Sequence, residues 1–223
     1  MTPQLEGTDE ADNGDRVYKW NDGAEYPSVT TILKADPEKK RAIKNWRKSH
    51  PNPDHYRDRQ GQLGRLVHRR VLNQYSIRDL PPEPVDFNLV DDDFKPDVET
   101  AVSMWDQVGL EIGDDPHVEV AVRNDDHQYA GRFDLLTEQN VLCDLKVSSG
   151  VRDSYRCQIA AYWRALETMD DYPDPESAAI IRLHPDTGRN PELTPSIERI
   201  SAEQADYWFD EFRRIQQIYR GEH

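Results

Sequence analysis

The stretch from residue 129 to residue 149, "YAGRFDLLTEQNVLCDLKVSS", predicts two strands joined by the turn "TEQN". Each strand carries an aspartate inside an apolar run: Asp134 lies in the first and Asp144 in the second, with Lys146 two residues later. Because side chains alternate across a strand, Asp144 and Lys146 share one face. Burying such charges costs about several kcal/mol unless they are compensated. The stretch therefore predicts a charge-compensated site built on adjacent strands.

A divalent metal ion would compensate these carboxylates. Mg²⁺ prefers oxygen ligands and binds through one or two carboxylates together with carbonyl and phosphate oxygens. Asp134 and Asp144 supply carboxylates, and Glu119 of the predicted strand "HVEVAV" (117–122) and the Leu145 carbonyl could supply further oxygens. Lys146 would lie near the scissile phosphate, where a cation stabilises charge that develops in the transition state. The pattern predicts metal-dependent phosphodiester hydrolysis.

The acid-x-lysine pattern alone is weak, because "DFK" (93–95) and "EKK" (38–40) also match it. Both lie beside proline and outside any predicted strand, whereas "DLK" (144–146) lies in an alternating strand. An alternative remains open in which Asp134 and Asp144 form ion pairs with Arg132 or Arg156.

The rest of the chain predicts an α/β fold with a mixed β-sheet flanked by helices. Helical patterns extend over 36–49, from Gln60 to Tyr75, through Val102, Trp105 and Val108, from Asp153 to Met169, and from the capping box "SAEQ" (201–204) onward. Further strands are predicted at 178–183 and 196–200, and "HVEVAV" should place Val118, Val120 and Val122 on one face.

We predict two regions, a disordered acidic arm over 1–16 and a single domain over 17–223. Within the domain, 17–110 is expected to be a helical DNA-facing part, 111–200 a catalytic core and 201–223 a C-terminal helix. No apolar run is long enough to cross a membrane and no signal peptide is evident, so a cytoplasmic protein without a membrane partner is predicted.

Acidic residues outnumber basic ones by 43 to 28, giving a formal net charge of −15, and only 8 of the basic residues are lysine. This composition is typical of proteins from halophilic hosts, although an ordinary acidic protein is an open alternative.

Positive charge is concentrated in residues 39–70, which hold 11 Lys or Arg and only two acidic residues. This basic island predicts a polyanion-binding surface, although solvated helix faces would also explain it. Trp46 and Tyr56 lie within it and could stack on unpaired bases or belong to the core. The candidate DNA-binding residues here are Lys44, Arg47, Arg65 and Arg69.

Six motifs, in order, resemble the PD-(D/E)xK nuclease superfamily, and within it the RecB-type exonucleases of the phage and mitochondrial genome maintenance groups. They span roughly residues 26 to 166 and read "YPSVTTIL", "GRLVH", "VEVAV", "GRFD", "CDLK" and "QIAAY". Each motif alone is weak, and their order and spacing carry the resemblance.

The resemblance implies a restriction-endonuclease-like core with an N-terminal helical elaboration, and Mg²⁺ or Mn²⁺ as the cofactor. The metal ligands it implies are His68, Asp134, Asp144 and the Leu145 carbonyl. Its catalytic set comprises Lys146, Asp144 and Asp134, with Glu119 assisting. Gln158 and Tyr162 would bind the DNA strand. One branch of the family carries an iron–sulfur cluster on four cysteines, but this chain has only Cys143 and Cys157, so no iron–sulfur cluster is predicted.

The function implied is exonuclease activity on single-stranded or frayed DNA ends in replication, recombination or repair, in a viral or mobile-element setting. A recombinase, a helicase or a single-strand-binding protein would be the partner that delivers the DNA. Two alternatives stay open: a structure-selective endonuclease on the same core, and a catalytically silent DNA-binding subunit.

Overall fold

The computed structural model describes residues 3–10, 14–75, 91–184 and 194–222. Within these residues the chain forms ten strands and six α-helices. The strands are β1 (Leu5–Glu10), β2 (Arg16–Trp20), β3 (Glu25–Pro27), β4 (His117–Val118), β5 (Ala121–Asn124), β6 (Tyr129–Arg132), β7 (Leu135–Leu136), β8 (Val141–Val147), β9 (Ser177–Leu183) and β10 (Ser196–Ile200). The helices are α1 (Val29–Ile32), α2 (Pro37–Ser49), α3 (Pro53–Leu72), α4 (Lys95–Trp105), α5 (Asp153–Leu166) and α6 (Ala202–Arg220).

The central sheet has five strands in the order β10, β9, β8, β7 and β4. Strands β8 and β9 are parallel and are connected through α5, whereas the other neighbouring pairs are antiparallel. The fold is therefore mixed α/β, as the sequence predicts. Strand β8 occupies the centre, so Asp144 and Lys146 lie on a strand with neighbours on both sides.

Helices cover both faces of this sheet, and alternate residues of its strands contribute to two apolar layers. Leu142 and Ile180 pack in the layer that contains residues of α5 and α6. Leu145 and Ile181 pack in the layer that contains residues of α3 and α4. Each such side chain contributes about 1.5–3 kcal/mol on burial, so the two layers fix the orientation of β8.

In the segment that precedes β8, the side chains before and after Glu119 pack on opposite faces of the sheet. The alternating pattern predicts one strand over 117–122, but Glu119 adopts φ 54° and separates β4 from β5. Backbone pairing persists across the break, because the Glu119 N–H donates to the Asp134 carbonyl at 3.0 Å. Val118 then packs with the α3 and α4 layer, whereas Val120 packs with the α5 and α6 layer. The prediction that these valines share one face is wrong, because one left-handed residue rotates the strand.

The acidic N-terminal segment, predicted to be a disordered arm over 1–16, contains a strand. Its residues from Leu5 to Glu10 form β1, which pairs antiparallel with β2, and β3 completes this sheet. Lys19 of β2 lies 2.8 Å from Asp9 and 3.4 Å from Glu25, so cross-strand ion pairs offset part of the acidic charge. The part predicted to be helical, 17–110, therefore begins with strands.

The helix boundaries follow local capping signals. Helix α3 begins at Pro53 rather than near Gln60, because proline is well suited to the first turn of a helix. Ser28 caps α1 by accepting the Thr31 N–H, and Ser201 and Gln204 form the predicted capping box of α6. None of the described helices is both long and apolar enough to cross a membrane.

Candidate active site

Three side chains converge beside the break in the hairpin. His68 comes from α3, and Glu119 and Asp134 lie opposite each other at the break. One potential ligand atom from each of these residues lies within 4.8 Å of the other two. His68 Nδ1 is 3.6 Å from Asp134 Oδ1. Two distant parts of the sequence thus form one polar cluster.

Asp134 is held in its charged form by its neighbours. Burial raises the pKa of this carboxyl, but the His68 imidazolium, the Lys146 ammonium and the Leu145 N–H outweigh burial and lower it. The Leu145 N–H donates to Asp134 Oδ2 at 2.6 Å, which fixes the carboxylate against β8. The same contact with Asp134 raises the pKa of His68 despite burial of the imidazole. The contact is therefore an ion pair when the histidine is protonated.

Asp144 and Lys146 form a second, deeper pair. Asp144 is 1% exposed, and Lys146 Nζ lies 2.8 Å from its Oδ1 and 2.7 Å from its Oδ2. Burial raises the pKa of Asp144 to about 6 even though Lys146 opposes the shift. Burial lowers the pKa of Lys146, but Asp144 and Asp134 outweigh it, so the ammonium stays charged. Lys146 therefore carries its charge beside Asp144.

Glu119 has a carboxyl group whose pKa is strongly raised. Burial and the neighbouring Asp134 charge raise its pKa from 4.5 to about 7, against the opposing effects of His68 and Arg132. Arg132 Nη1 lies 3.9 Å from Glu119 Oε2, which is a long contact. Near neutral pH, Glu119 is therefore poised between its protonated and charged forms.

The cluster has the donor types that a divalent cation needs. His68, Glu119 and Asp134 offer one imidazole nitrogen and two carboxylate oxygens, a set that suits Mn²⁺ or Mg²⁺. Asp144 is not a member of this close group. Both of its carboxylate oxygens lie within 2.8 Å of Lys146 Nζ. The donor types of His68, Glu119 and Asp134 therefore fit a divalent cation.

Gln158 and Tyr162 border the cluster on α5. Gln158 Nε2 donates to the Tyr162 hydroxyl at 3.1 Å, and burial followed by the charges of Tyr18 and Asp144 raises the pKa of Tyr162 well above its usual value. Tyr162 is only 3% exposed, so its ring is part of the core.

The sequence analysis missed the role of Gly131, the glycine of "GRFD". A Cβ atom at Gly131 would lie 2.4 Å from Tyr162 Cε1, so the tyrosine ring packs directly on the strand backbone. The sequence could have indicated this contact only through the presence of both "GRFD" and a later aromatic residue. No local pattern reveals it, because Gly131 and Tyr162 are 31 positions apart.

The alternative ion pairs considered for the aspartates do not form. Arg132 reaches Glu119 rather than an aspartate. Arg156 Nη2 donates to Glu198 Oε2 at 2.8 Å, and Arg156 also pairs with Asp153. Cys143 and Cys157 are buried and unlinked, and burial raises the pKa of both thiols, that of Cys157 to about 12.

The four basic candidates for DNA binding lie on the surface of α2 and α3. Arg65 and Arg69 are exposed on α3 within one turn of His68, and Lys44 and Arg47 are exposed on α2. Arg47 pairs with Asp54 across the two helices. The structure therefore places two of the four beside the cluster and two on the neighbouring helix.

Comparison with known proteins gives no functional assignment. No protein-family model and no curated protein matches the chain. Among solved structures, the chain is similar to one described as the crystal structure of SSO0001, with 9% sequence identity and a TM-score of 0.31. That match covers 69% of this chain and 86% of the other, and similarity at this level carries no argument.

Proposed function

We propose that this chain is a metal-dependent DNA exonuclease with a restriction-endonuclease-like core, acting on single-stranded or frayed ends. The observation that carries the proposal is the convergence of His68, Glu119 and Asp134 next to the buried pair of Asp144 and Lys146. A cluster built only for stability would gain more from apolar residues, since buried ion pairs seldom add net stability. Perturbed carboxyl groups of this kind concentrate at functional sites.

Each side chain has a defined role in this proposal. A bound Mg²⁺ or Mn²⁺ ion would supply Lewis-acid polarisation of the phosphate and a nucleophilic hydroxide. His68, Asp134 and Asp144 would hold the ion, with Glu119 as an additional ligand or proton acceptor and the Leu145 carbonyl as a further oxygen. Lys146 would place its ammonium beside the phosphate oxygens and stabilise the charge that they gain.

The surface around the cluster supports a polyanionic substrate. Arg65 and Arg69 are exposed on the helix that carries His68, in a chain whose net charge is otherwise strongly negative. Basic side chains beside the cluster would attract the strand locally, whereas the net charge of −15 would repel it at long range. Screening by concentrated salt shortens that repulsion to about 3 Å at 1 M. Activity that persists in molar KCl would support a halophilic host.

The test is digestion of end-labelled single-stranded, duplex and covalently closed circular DNA in molar KCl with Mg²⁺ or Mn²⁺. Wild type is compared with Lys146→Ala and with Lys95→Ala, a matched control in the other D-x-K sequence. We expect cleavage of linear DNA only, lost in Lys146→Ala and retained in Lys95→Ala.

Cleavage of the closed circle would replace the exonuclease proposal with the endonuclease alternative. Failure of wild type to cut any of the substrates, or cleavage that Lys146→Ala leaves unchanged, would overturn the proposed function. In the first of these cases, Mn²⁺ binding measured by calorimetry would distinguish a silent metal-binding protein from one that does not bind the ion.

A further inference from the structure

Helix α2 and the start of α3 form an exposed arm, which we call the helical arm and define as residues 37–60. None of its residues is buried, and the first buried residue of α3 is Leu63. A helix of this length is marginal without tertiary packing, because most helical stability in proteins comes from a buried apolar face. The helical arm therefore has the character of a surface that is completed by a binding partner.

Three aromatic rings lie together at the tip of the helical arm. Trp46 is 4.3 Å from His50 and 5.8 Å from Tyr56 between ring centroids, and Tyr56 is 48% exposed. His50 Nδ1 and the Ser49 hydroxyl both lie within hydrogen-bond distance of the Trp46 carbonyl, which fixes the end of α2. The rings orient one another at the surface, so they do not belong to the apolar core.

The helical arm is basic in an acidic protein. It contains eight Lys or Arg and three acidic residues. The aspartates offset three of the arginines, as in the 3.4 Å pair of Arg59 with Asp97 of α4. Four cations of α2 pair with no carboxylate in the described parts of the chain, namely Lys40, Arg41, Lys44 and Lys48. These charges are therefore available to an anionic partner.

Helix α3 leads from the aromatic tip back to the candidate active site. Tyr56 and His68 lie on the same helix twelve residues apart, which corresponds to about 18 Å along its axis. That length spans about five stacked nucleotides at 3.4 Å each. The aromatic tip is thus within a short strand's reach of the cluster.

We propose that the helical arm is a docking surface for single-stranded nucleic acid, with bases stacked on Trp46 and Tyr56 and phosphates on the unpaired cations of α2. The inference rests on the proposed function in one respect: the bound strand is taken to extend from the helical arm toward the carboxylates. Exposed aromatic rings interleaved with cations are the combination that binds single strands without regard to sequence. An acidic protein surface would match the charges, but it would not need three adjoining rings.

The test measures binding apart from cleavage. Fluorescein-labelled oligothymidylates of 4, 6, 8 and 12 nucleotides are titrated with full-length Lys146→Ala protein in Mg²⁺, and anisotropy gives the affinity. In that background, Trp46→Ala and Tyr56→Ala should each weaken binding by at least about fivefold, since stacking contributes about 1–3 kcal/mol per base. Trp46→Phe should retain most of the affinity, and Tyr207→Ala, an exposed tyrosine on α6, should change nothing.

A second measurement keeps the test independent of any loss of helix in the arm. Lys44→Ala/Lys48→Ala should lower the slope of log affinity against log salt by about 1.4, because each phosphate contact on a single strand contributes about 0.7. Affinity should also rise with oligonucleotide length up to about six nucleotides and then level off. Circular dichroism of each variant reports its helix content.

Unchanged affinity in Trp46→Ala, Tyr56→Ala and the double lysine variant would overturn this inference alone, because cleavage of DNA by wild type would still stand. Conversely, binding that requires Trp46 in a protein that cuts no DNA would support the inference and refute the proposed function. If light scattering instead shows that wild type is a dimer and the aromatic variants are monomers, and the variants bind oligonucleotide with unchanged affinity, the helical arm is a protein interface.

Discussion

Replacing Lys146 with alanine should destabilise the protein by an amount that depends on pH, because it leaves a buried carboxylate without its partner. Lys146 Nζ lies 2.8 Å from Oδ1 of Asp144, and Asp144 is 1% exposed. Removing one member of a buried ion pair costs about 3–5 kcal/mol when the other stays charged. We therefore expect Lys146→Ala to lower the free energy of unfolding by about 3–5 kcal/mol at pH 8.

At pH 5 the loss should be smaller, because Asp144 can bind a proton. Burial already raises the pKa of Asp144 from 3.8 to about 6, and loss of the lysine charge would raise it further. A carboxyl group with a raised folded-state pKa stabilises the folded protein at low pH, and this contribution is lost as the pH rises from about 4 through the folded pKa. The cost of the substitution should therefore shrink between pH 8 and pH 5, by about 1.4 kcal/mol for each pH unit that the pKa rises within that range.

Urea unfolding followed by tryptophan fluorescence, with chelator present, measures these free energies at both pH values. Lys95→Ala is the control, since Lys95 pairs with the exposed Asp92 and should cost less than about 0.5 kcal/mol at either pH. An Asp144→Asn/Lys146→Met variant should recover most of the loss, because it removes both charges. An equal loss at pH 5 and pH 8, or a loss at pH 8 no larger than that of Lys95→Ala, would refute this reasoning.

Three further predictions concern the glycines and the cluster. Gly131→Ala should lower the free energy of unfolding by about 1–3 kcal/mol in urea titrations, because the added Cβ would meet the Tyr162 ring at 2.4 Å; no loss would show that the ring adapts freely. The Cβ atom added in Gly64→Ala has open space around it, so this variant should stabilise α3 by about 1 kcal/mol. Because residues 64 and 68 lie on the same face of α3, the variant should reduce cleavage if DNA approaches that face. Mn²⁺ at about 100 times its dissociation constant should add about 2.7 kcal/mol, seen as a rise in Tm of about 5–10 °C that Glu119→Gln diminishes; an equal rise in the variant would place the ion elsewhere.

The elements of the sheet could be predicted from sequence because their signals are local. The alternation in Val141–Val147 predicts a strand whose Asp144 and Lys146 share one face, and β8 confirms it. The capping pattern at Ser201 likewise predicts the start of α6 within one residue. In both cases the deciding residues lie within seven positions of each other in the sequence.

The errors arise where a distant contact overrides the local pattern. Acidic composition predicts disorder near Leu5–Glu10, but pairing with β2 gives that segment a strand that its own residues do not signal. The alternation around Glu119 predicts an uninterrupted strand, because no periodicity reveals a single residue at φ 54°. A left-handed conformation is uncommon for glutamate and persists only where surrounding structure imposes it. The hairpin pairing with Asp134 supplies that constraint.

The same break explains why the site could be predicted by residue type but not by geometry. The sequence predicts His68, Asp134, Asp144 and the Leu145 carbonyl as metal ligands with Glu119 assisting, whereas the close group in the structure is His68, Glu119 and Asp134. Burial raises the pKa of Glu119 to about 7, and repulsion from the Asp134 carboxylate across the hairpin adds to this shift. A divalent cation would offset that repulsion more effectively than a proton, since it interacts with several oxygens at once. The raised pKa of Glu119 is therefore a cost that a bound divalent cation would relieve.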